Sequence, residues 1–353
     1  MTKRPWHMIG AALLLFSLPQ CTTDPAASVR EAPLQGPAHF VQLVEDTANP
    51  YSPEKAALGQ MLFFDPVLSK DSSLSCSSCH LPERAFTDGK AIAVGVDNRE
   101  GTRNAPSLVN LAWITEGLFW DGRSPTLEEQ AVHPVINPNE LGSDWVTVLS
   151  RLEAHPDYPG YFEKAFGTGI AQQTVVHALA HFQRSLMSSE SKYDSVMRGE
   201  AAYTDLELHG KHIFFDSSED LPDGECGHCH TPPLFTDQTY MNNGVQQELA
   251  PYHYPDAGRG AVTGVKYDNG RFRVPSLRNI TLTAPYMHDG RFATLEEVIE
   301  HYNSGGHPGL NVDPKIRKLH FSDEDKRALI AFLGTLTDTS FVRKLSDQKA
   351  LLQ

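Results

Sequence analysis

Cys76-Ser77-Ser78-Cys79-His80 and Cys226-Gly227-His228-Cys229-His230 are two copies of Cys-x-x-Cys-His, 150 positions apart. The pattern is the attachment signature of haem c: two thiols add to the porphyrin vinyl groups, and the adjacent histidine becomes the proximal iron ligand. Two other readings use the same cysteines. A four-cysteine zinc site also employs paired Cys-x-x-Cys, but it does not require a histidine directly after each second cysteine. A disulfide framework suits small secreted domains, whereas a chain of 353 residues has other means of building a core. Two covalent haem c groups are therefore expected.

Outward from the motifs, the sequence repeats itself. Gly59-x-x-Leu62-Phe63-Phe64-Asp65 returns as Gly210-x-x-Ile213-Phe214-Phe215-Asp216, and Phe86-Thr87-Asp88 returns as Phe235-Thr236-Asp237. Pro106-Ser107-Leu108-x-Asn110 returns as Pro275-Ser276-Leu277-x-Asn279. Trp120-Asp121-Gly122-Arg123 matches His288-Asp289-Gly290-Arg291, and Thr126-Leu127-Glu128-Glu129 matches Thr294-Leu295-Glu296-Glu297. Matches kept in one order mean duplication, not composition bias. The expected fold is mainly α, two tandem cytochrome c-like haem domains with long loops and little β, spanning 46–198 and 199–345.

Pro53–Phe64 carries Ala57, Leu58, Met61 and Leu62 at helical spacing and stops before Asp65-Pro66, as helices tend to do ahead of proline. Gln172–Met187 and Asp323–Leu336 have similar apolar stripes, in which aromatic and Met residues read as core. Thr126-x-x-Glu129 and Thr294-x-x-Glu297 fit capping boxes, so one helix starts at the same place in each module. The Gly-rich polar segments 95–103 and 258–270 read as loops.

At the N-terminus, Lys3 and Arg4 precede the apolar run Ile9–Leu18, too short to span a bilayer and suited to a signal peptide over 1–20. Residues 21–45 read as a tether. Cys21 has two readings, a lipidated anchor or an incidental cysteine of a secreted chain; Gln20 before it is large for a lipidation site. Either places the protein in the periplasm or facing it. Net charge is −14, and −16 without residues 1–20, at 44 acids against 28 bases. That excess argues against nucleic acid as a partner and suits a basic one, although ordinary solubility explains it as well.

The copies diverge on the helix after Thr-Leu-Glu-Glu. Position 302 is tyrosine, whose phenolate ligates ferric haem in catalases; its counterpart is Pro134, which offers no ligand. For Tyr302 by itself a buried core tyrosine is the simpler reading. If this helix overlies each haem, haem 2 is capped and haem 1 open. Near Pro134 lie Gln130 and Glu140. A carboxylate that moves a proton between peroxide oxygens and an amide that orients the ligand suit peroxide chemistry, although Glu140 alone also reads as a solvated acid. His133, beside Pro134, is a further group near haem 1.

These residues resemble the bacterial di-haem cytochrome c peroxidases and their MauG-like relatives. The likeness runs from Leu58-Gly59 to Phe332-Leu333, through Leu-Phe-Phe-Asp-Pro (62–66), Arg-Asn-Ala-Pro-Ser-Leu (103–108), Phe-Trp-Asp-Gly-Arg (119–123), Leu-Glu-Glu-Gln-Ala (127–131), Asn-Pro-x-Glu (137–140), Pro-Ser-Leu-Arg-Asn (275–279) and Ala-Pro-Tyr-Met-His-Asp-Gly-Arg (284–291). The resemblance implies Glu140 and Gln130 in the peroxide pocket, Trp120 as the electron relay between haems, and Tyr302 with His230 on the second iron. It implies one calcium ion held by Asn104, Thr283 and Pro285. Reductively activated members carry a blocking histidine where this chain has Val94-Gly95-Val96, and a Met where it has Tyr302; both departures are MauG-like. The tryptophan that precedes the second motif in the quinone-forming MauG enzyme is missing from Asp223-Gly224-Glu225. The implied function is reduction of hydrogen peroxide with electrons from a small cytochrome c or cupredoxin. The alternatives are peroxide-driven modification of a partner protein and passive di-haem electron transfer.

Overall fold

The computed structural model describes residues 1–2, 34–44 and 46–352. The signal peptide, Cys21 and most of the tether lie outside the described residues. Within them, the helices are α1 (Pro53–Phe64), α2 (Leu127–Ile136), α3 (Trp145–Ala154), α4 (Tyr158–Phe166), α5 (Gln172–Arg184), α6 (Lys192–Met197), α7 (Asp205–Phe214), α8 (Gly260–Thr263), α9 (Leu295–Ser304), α10 (Asp323–Gly334) and α11 (Thr339–Leu352). The single small sheet pairs β1 (Tyr240–Met241) with β2 (Phe272–Arg273), antiparallel, with Tyr240 opposite Arg273. The fold is mainly α, and no helix among the described residues is long and apolar enough to cross a membrane.

The duplication is visible in the packing. In the first module α1 crosses α5, and in the second α7 crosses α10. Gly59 and Gly210 explain their place in the repeat: a Cβ at either would run into the carbonyl oxygen of Ala178 or Ala328 on the opposing helix. Phe63 and Phe182 pack at 5.0 Å between ring centroids in one core, and Phe214 and Phe332 at 5.1 Å in the other. The helix spans agree with the apolar stripes at their starts, but α5 ends at Arg184 and α10 at Gly334, short of the stripes' ends. Thr126 and Thr294 cap α2 and α9, accepting from the N–H of Glu129 and Glu297. The segment 258–270 contains the four-residue helix α8.

Two large apolar cores result, beside a small cluster of Phe40, Trp113 and Leu234. The first includes Leu62, Phe63, Phe86, Val148, Phe162 and Phe182, the second Ile213, Phe214, Phe235, Leu329 and Phe332. The C-terminal helix α11 sends Phe341 and Leu345 into the first core, so a segment that follows the second module in sequence completes the first. Paired asparagines hold the join: Asn110 N–H donates to the Leu186 carbonyl and Asn279 N–H to that of Leu336, both asparagines at φ 61°. Their side chains meet at Ser188, where Asn110 Nδ2 reaches its carbonyl and Asn279 Nδ2 its hydroxyl, each at 3.0 Å. Beside them Arg278 and Asp194, both essentially buried, pair at 2.8 Å.

Candidate functional site

Each Cys-x-x-Cys-His forms a tight 3-10 turn whose histidine N–H donates back to the first cysteine's carbonyl, at 3.0 Å for His80 and 2.9 Å for His230. The turn directs both thiols and the imidazole into one cavity. The first cavity, of about 480 Å³, is lined by Cys76, Cys79 and His80; the second, of about 270 Å³, by Cys226, Cys229 and His230. His80 Nδ1 lies 2.8 Å from the Phe86 carbonyl and His230 Nδ1 3.0 Å from that of Phe235. These contacts fix the Nδ1–H tautomer and leave Nε2 as the ligand atom, a supporting contact that metal-binding histidines ordinarily have. Both carbonyls are aimed by fully buried phenylalanines in the left-handed region, at φ 62° and 56°. Burial lowers the pKa of both histidines, keeping the imidazoles neutral and able to ligate.

The donor sets fit haem c. Burial pushes the Cys76 and Cys226 thiols up to about 12 and those of Cys79 and Cys229 to about 11, so all four are neutral thiols as long as nothing binds them. The pairs occupy separate cavities, and among the described residues no group of three metal-ligating side chains includes a cysteine. None of the four is in a disulfide.

Glu140, Gln130 and Pro134 line the first cavity together with the attachment turn. Glu140 Oε1 accepts from Asn137 Nδ2 at 2.8 Å, a bond made possible by the Asn137 cap that turns the chain out of α2. Burial raises the Glu140 carboxyl pKa, and Asn137, Arg123 and His133 pull it back down. Val96 is buried, and its N–H donates to the Glu140 carbonyl at 2.8 Å, so the loop at 94–96 is tied beneath the glutamate. Gly95 permits that approach, because a Cβ there would collide with the Asn139 and Glu140 carbonyls. His133 is not among the cavity-lining residues; its ring packs edge-on against Phe119, 5.8 Å between centroids.

Tyr302 lines the second cavity, and its hydroxyl accepts from Asn243 Nδ2 at 3.1 Å. Burial pushes its pKa up to about 12, so the phenol is neutral until a cation draws off the proton. Asn104 and, from a second segment, Thr283 and Pro285 also line this cavity. Trp120 lines both cavities, with its Nε1–H donating to the Asn104 carbonyl at 2.9 Å.

Several residues were not assigned by the sequence. Asn137 is the third residue before Glu140, and its spacing was the available signal. Asn243 and Met287 come to the second cavity from loops and Met241 from the end of β1, with Met287 Sδ 3.5 Å from the same Asn243 nitrogen that serves Tyr302. No periodicity marks them.

Two haem-c turns facing two cavities across one tryptophan define a di-haem oxidoreductase of peroxidase type. The chain belongs to the di-haem cytochrome c peroxidase family, whose model matches residues 53–202. It is 37% identical over 296 residues to the methylamine utilization protein MauG of Methylorubrum extorquens, covering 82% of this chain and 80% of that protein. It is 36% identical over 292 residues to the cytochrome c551 peroxidase of Nitrosomonas europaea, covering 82% and 81%. Among solved structures, a MauG-like protein associated with microbial copper homeostasis superposes with a TM-score of 0.79 at 36% identity, over 87% of this chain and 95% of that one. Family membership implies two haem c groups, the number the cysteine turns provide for.

Proposed function

We propose that this protein reduces hydrogen peroxide to water at its N-terminal site, with electrons entering through the C-terminal site from a small cytochrome c or cupredoxin. Each peroxide takes up two electrons and two protons and leaves as two waters. When bound, the haems supply an iron for peroxide at His80 and an electron store at His230. The observation that carries the reading is the contrast between matched helices: α2 brings Pro134 to its cavity, whereas α9 brings Tyr302 to its own.

The chain's residues then have distinct tasks. Glu140 carries a proton from one peroxide oxygen to the other. Its raised pKa suits this, since a group that both takes and returns a proton works best near the ambient pH. Asn137 fixes the carboxylate's rotamer through the bond at 2.8 Å. The Gln130 amide orients the bound oxygen, Trp120 lies on the electron path, and Tyr302 is the second protein ligand at the C-terminal site. A calcium ion held by the Asn104 side chain and the Thr283 and Pro285 carbonyls would brace the wall between cavities. The Asn104 amide nitrogen donates to the Lys90 carbonyl at 2.8 Å, which leaves Oδ1 as an oxygen donor suited to a hard cation. A periplasmic location, with or without lipid at Cys21, belongs to the same proposal.

A second reading is peroxide-driven modification of a partner protein. Tyr302 in its cavity and Val96 in its buried loop favour it, and Gly224 before the second motif removes the surface tryptophan of that route. Stopped-flow mixing of the diferric protein with peroxide tests the open site: the haem absorbance is expected to change before any reductant is added. No change until reductant is present overturns it. Peroxide consumption matched by oxidation of a reduced small cytochrome or cupredoxin supports the first reading. A peroxide-dependent mass change in a partner protein without that turnover supports the second.

A further inference from the structure

Arg273, on β2, is the one arginine of the wall between the cavities without a carboxylate. Arg103 is held by Asp121 at 2.6 Å and by Asp256 at 2.7 Å, and Arg123 is held by Asp121 at 3.0 Å. Arg273 makes no ion pair among the described residues, although it is only 8% exposed. Its single side-chain hydrogen bond, Nε–H to the Phe119 carbonyl, is 3.4 Å long, at the weak end for an N–H donor. Burial bears on it as an uncompensated charge; the group that offsets this is Tyr240, itself pushed toward the neutral phenol by burial.

A buried guanidinium cannot shed its proton, and a lone charge away from water is costly, so a complementary anion is required. The protein supplies none here. Arg273 lines both haem cavities, and a haem brings two propionate carboxylates, whose geometry the planar guanidinium fork matches. Its backbone is tied to the same wall, with its N–H donating to the Trp120 carbonyl at 2.8 Å. The duplication points the same way: the position matched to Arg273 in the first module is Asn104, which is neutral, so one cation serves two cavities.

We propose that Arg273 is the shared counter-charge for the propionate carboxylates of both haems, binding them at the wall that carries Trp120. The proposal rests on the two-haem reading and adds a positioning residue to it. A cation beside both haems favours the reduced state of each iron, so its loss makes both harder to reduce.

The test uses the holoprotein and no peroxide. Covalent haem is counted first, because a chain carrying fewer than two haems would overturn the two-haem reading itself. With both haems present, Arg273→Gln is expected to lower the reduction potentials of both relative to wild type. Unchanged potentials, or a shift at one haem alone, overturn the shared counter-charge. Arg273→Lys keeps the charge and loses the fork, and reports even if the glutamine variant fails to load haem. Redox-difference infrared spectra of Arg273→Lys are expected to show the propionate carboxylate bands displaced from their wild-type positions. Unmoved bands mean that Arg273 does not touch the propionates.

Discussion

Glu140→Gln is expected to slow peroxide turnover by about 10²–10⁴-fold, the usual contribution of a positioned general acid–base group. That loss corresponds to about 2.7–5.4 kcal/mol of activation free energy, at about 1.36 kcal/mol per tenfold. Local geometry separates this from a folding effect. The amide oxygen of glutamine can still accept the Asn137 hydrogen bond now made at 2.8 Å. What changes is the strength of that bond, from roughly 1.5–3 kcal/mol for a charged partner to roughly 0.5–1.5 kcal/mol for a neutral one, partly offset because a buried carboxylate no longer has to be desolvated. Stability should therefore move by about 1 kcal/mol or less, while turnover collapses. Stopped-flow and steady-state rates measured beside thermal unfolding read the two effects separately. Near-wild-type turnover would refute the role of Glu140, and so would a rate loss explained entirely by lost haem or lost stability.

The pH profile gives an independent check. Burial raises the Glu140 pKa, and the ionised form is the one that takes peroxide's proton, so the rate should fall as pH drops through a value above about 4.3, the ordinary figure for glutamate. Asn137→Ala removes a bond that favours the ionised form and should move that limb to still higher pH, whereas Glu140→Gln should lack it. Gly59→Ala and Gly210→Ala should each destabilise by about 1–3 kcal/mol through overpacking against the opposing helix, measured by denaturant unfolding. Tyr302→Phe should keep two covalent haems but change the electron paramagnetic resonance signal of the C-terminal one; an identical spectrum would remove Tyr302 from the iron. Calcium chelation should slow electron transfer between the haems in flash-reduction measurements, and unchanged kinetics would count against the Asn104 site.

Local covalent chemistry made the haem motifs legible in the sequence alone. Cys-x-x-Cys-His places two thiols and an imidazole on one turn, so no distant contact is needed to bring them together. The repeat was legible because matched segments stay in order, and it fixed the helix starts at Thr126 and Thr294, where a hydroxyl three residues from a backbone N–H decides the cap. The comparison of Pro134 with Tyr302 also followed from register, since both lie eight residues beyond their capping threonine.

Tertiary structure decided what register cannot express. Gly59 was a repeat letter until α5 was seen to leave no room for a Cβ. The C-terminal helix carries an ordinary apolar pattern, yet Phe341 and Leu345 complete the core of the first module, a choice made by available surface and not by proximity in sequence. Helix ends fell short of their apolar stripes because the last turn tightens: the Ser185 N–H is shared between the His181 and Phe182 carbonyls, and the Thr335 N–H takes the Phe332 carbonyl three residues back. Arg273 shows the same limit most clearly. Its charge is plain in the sequence, but that it is buried, unpaired and common to both cavities depends on where every carboxylate around it has gone.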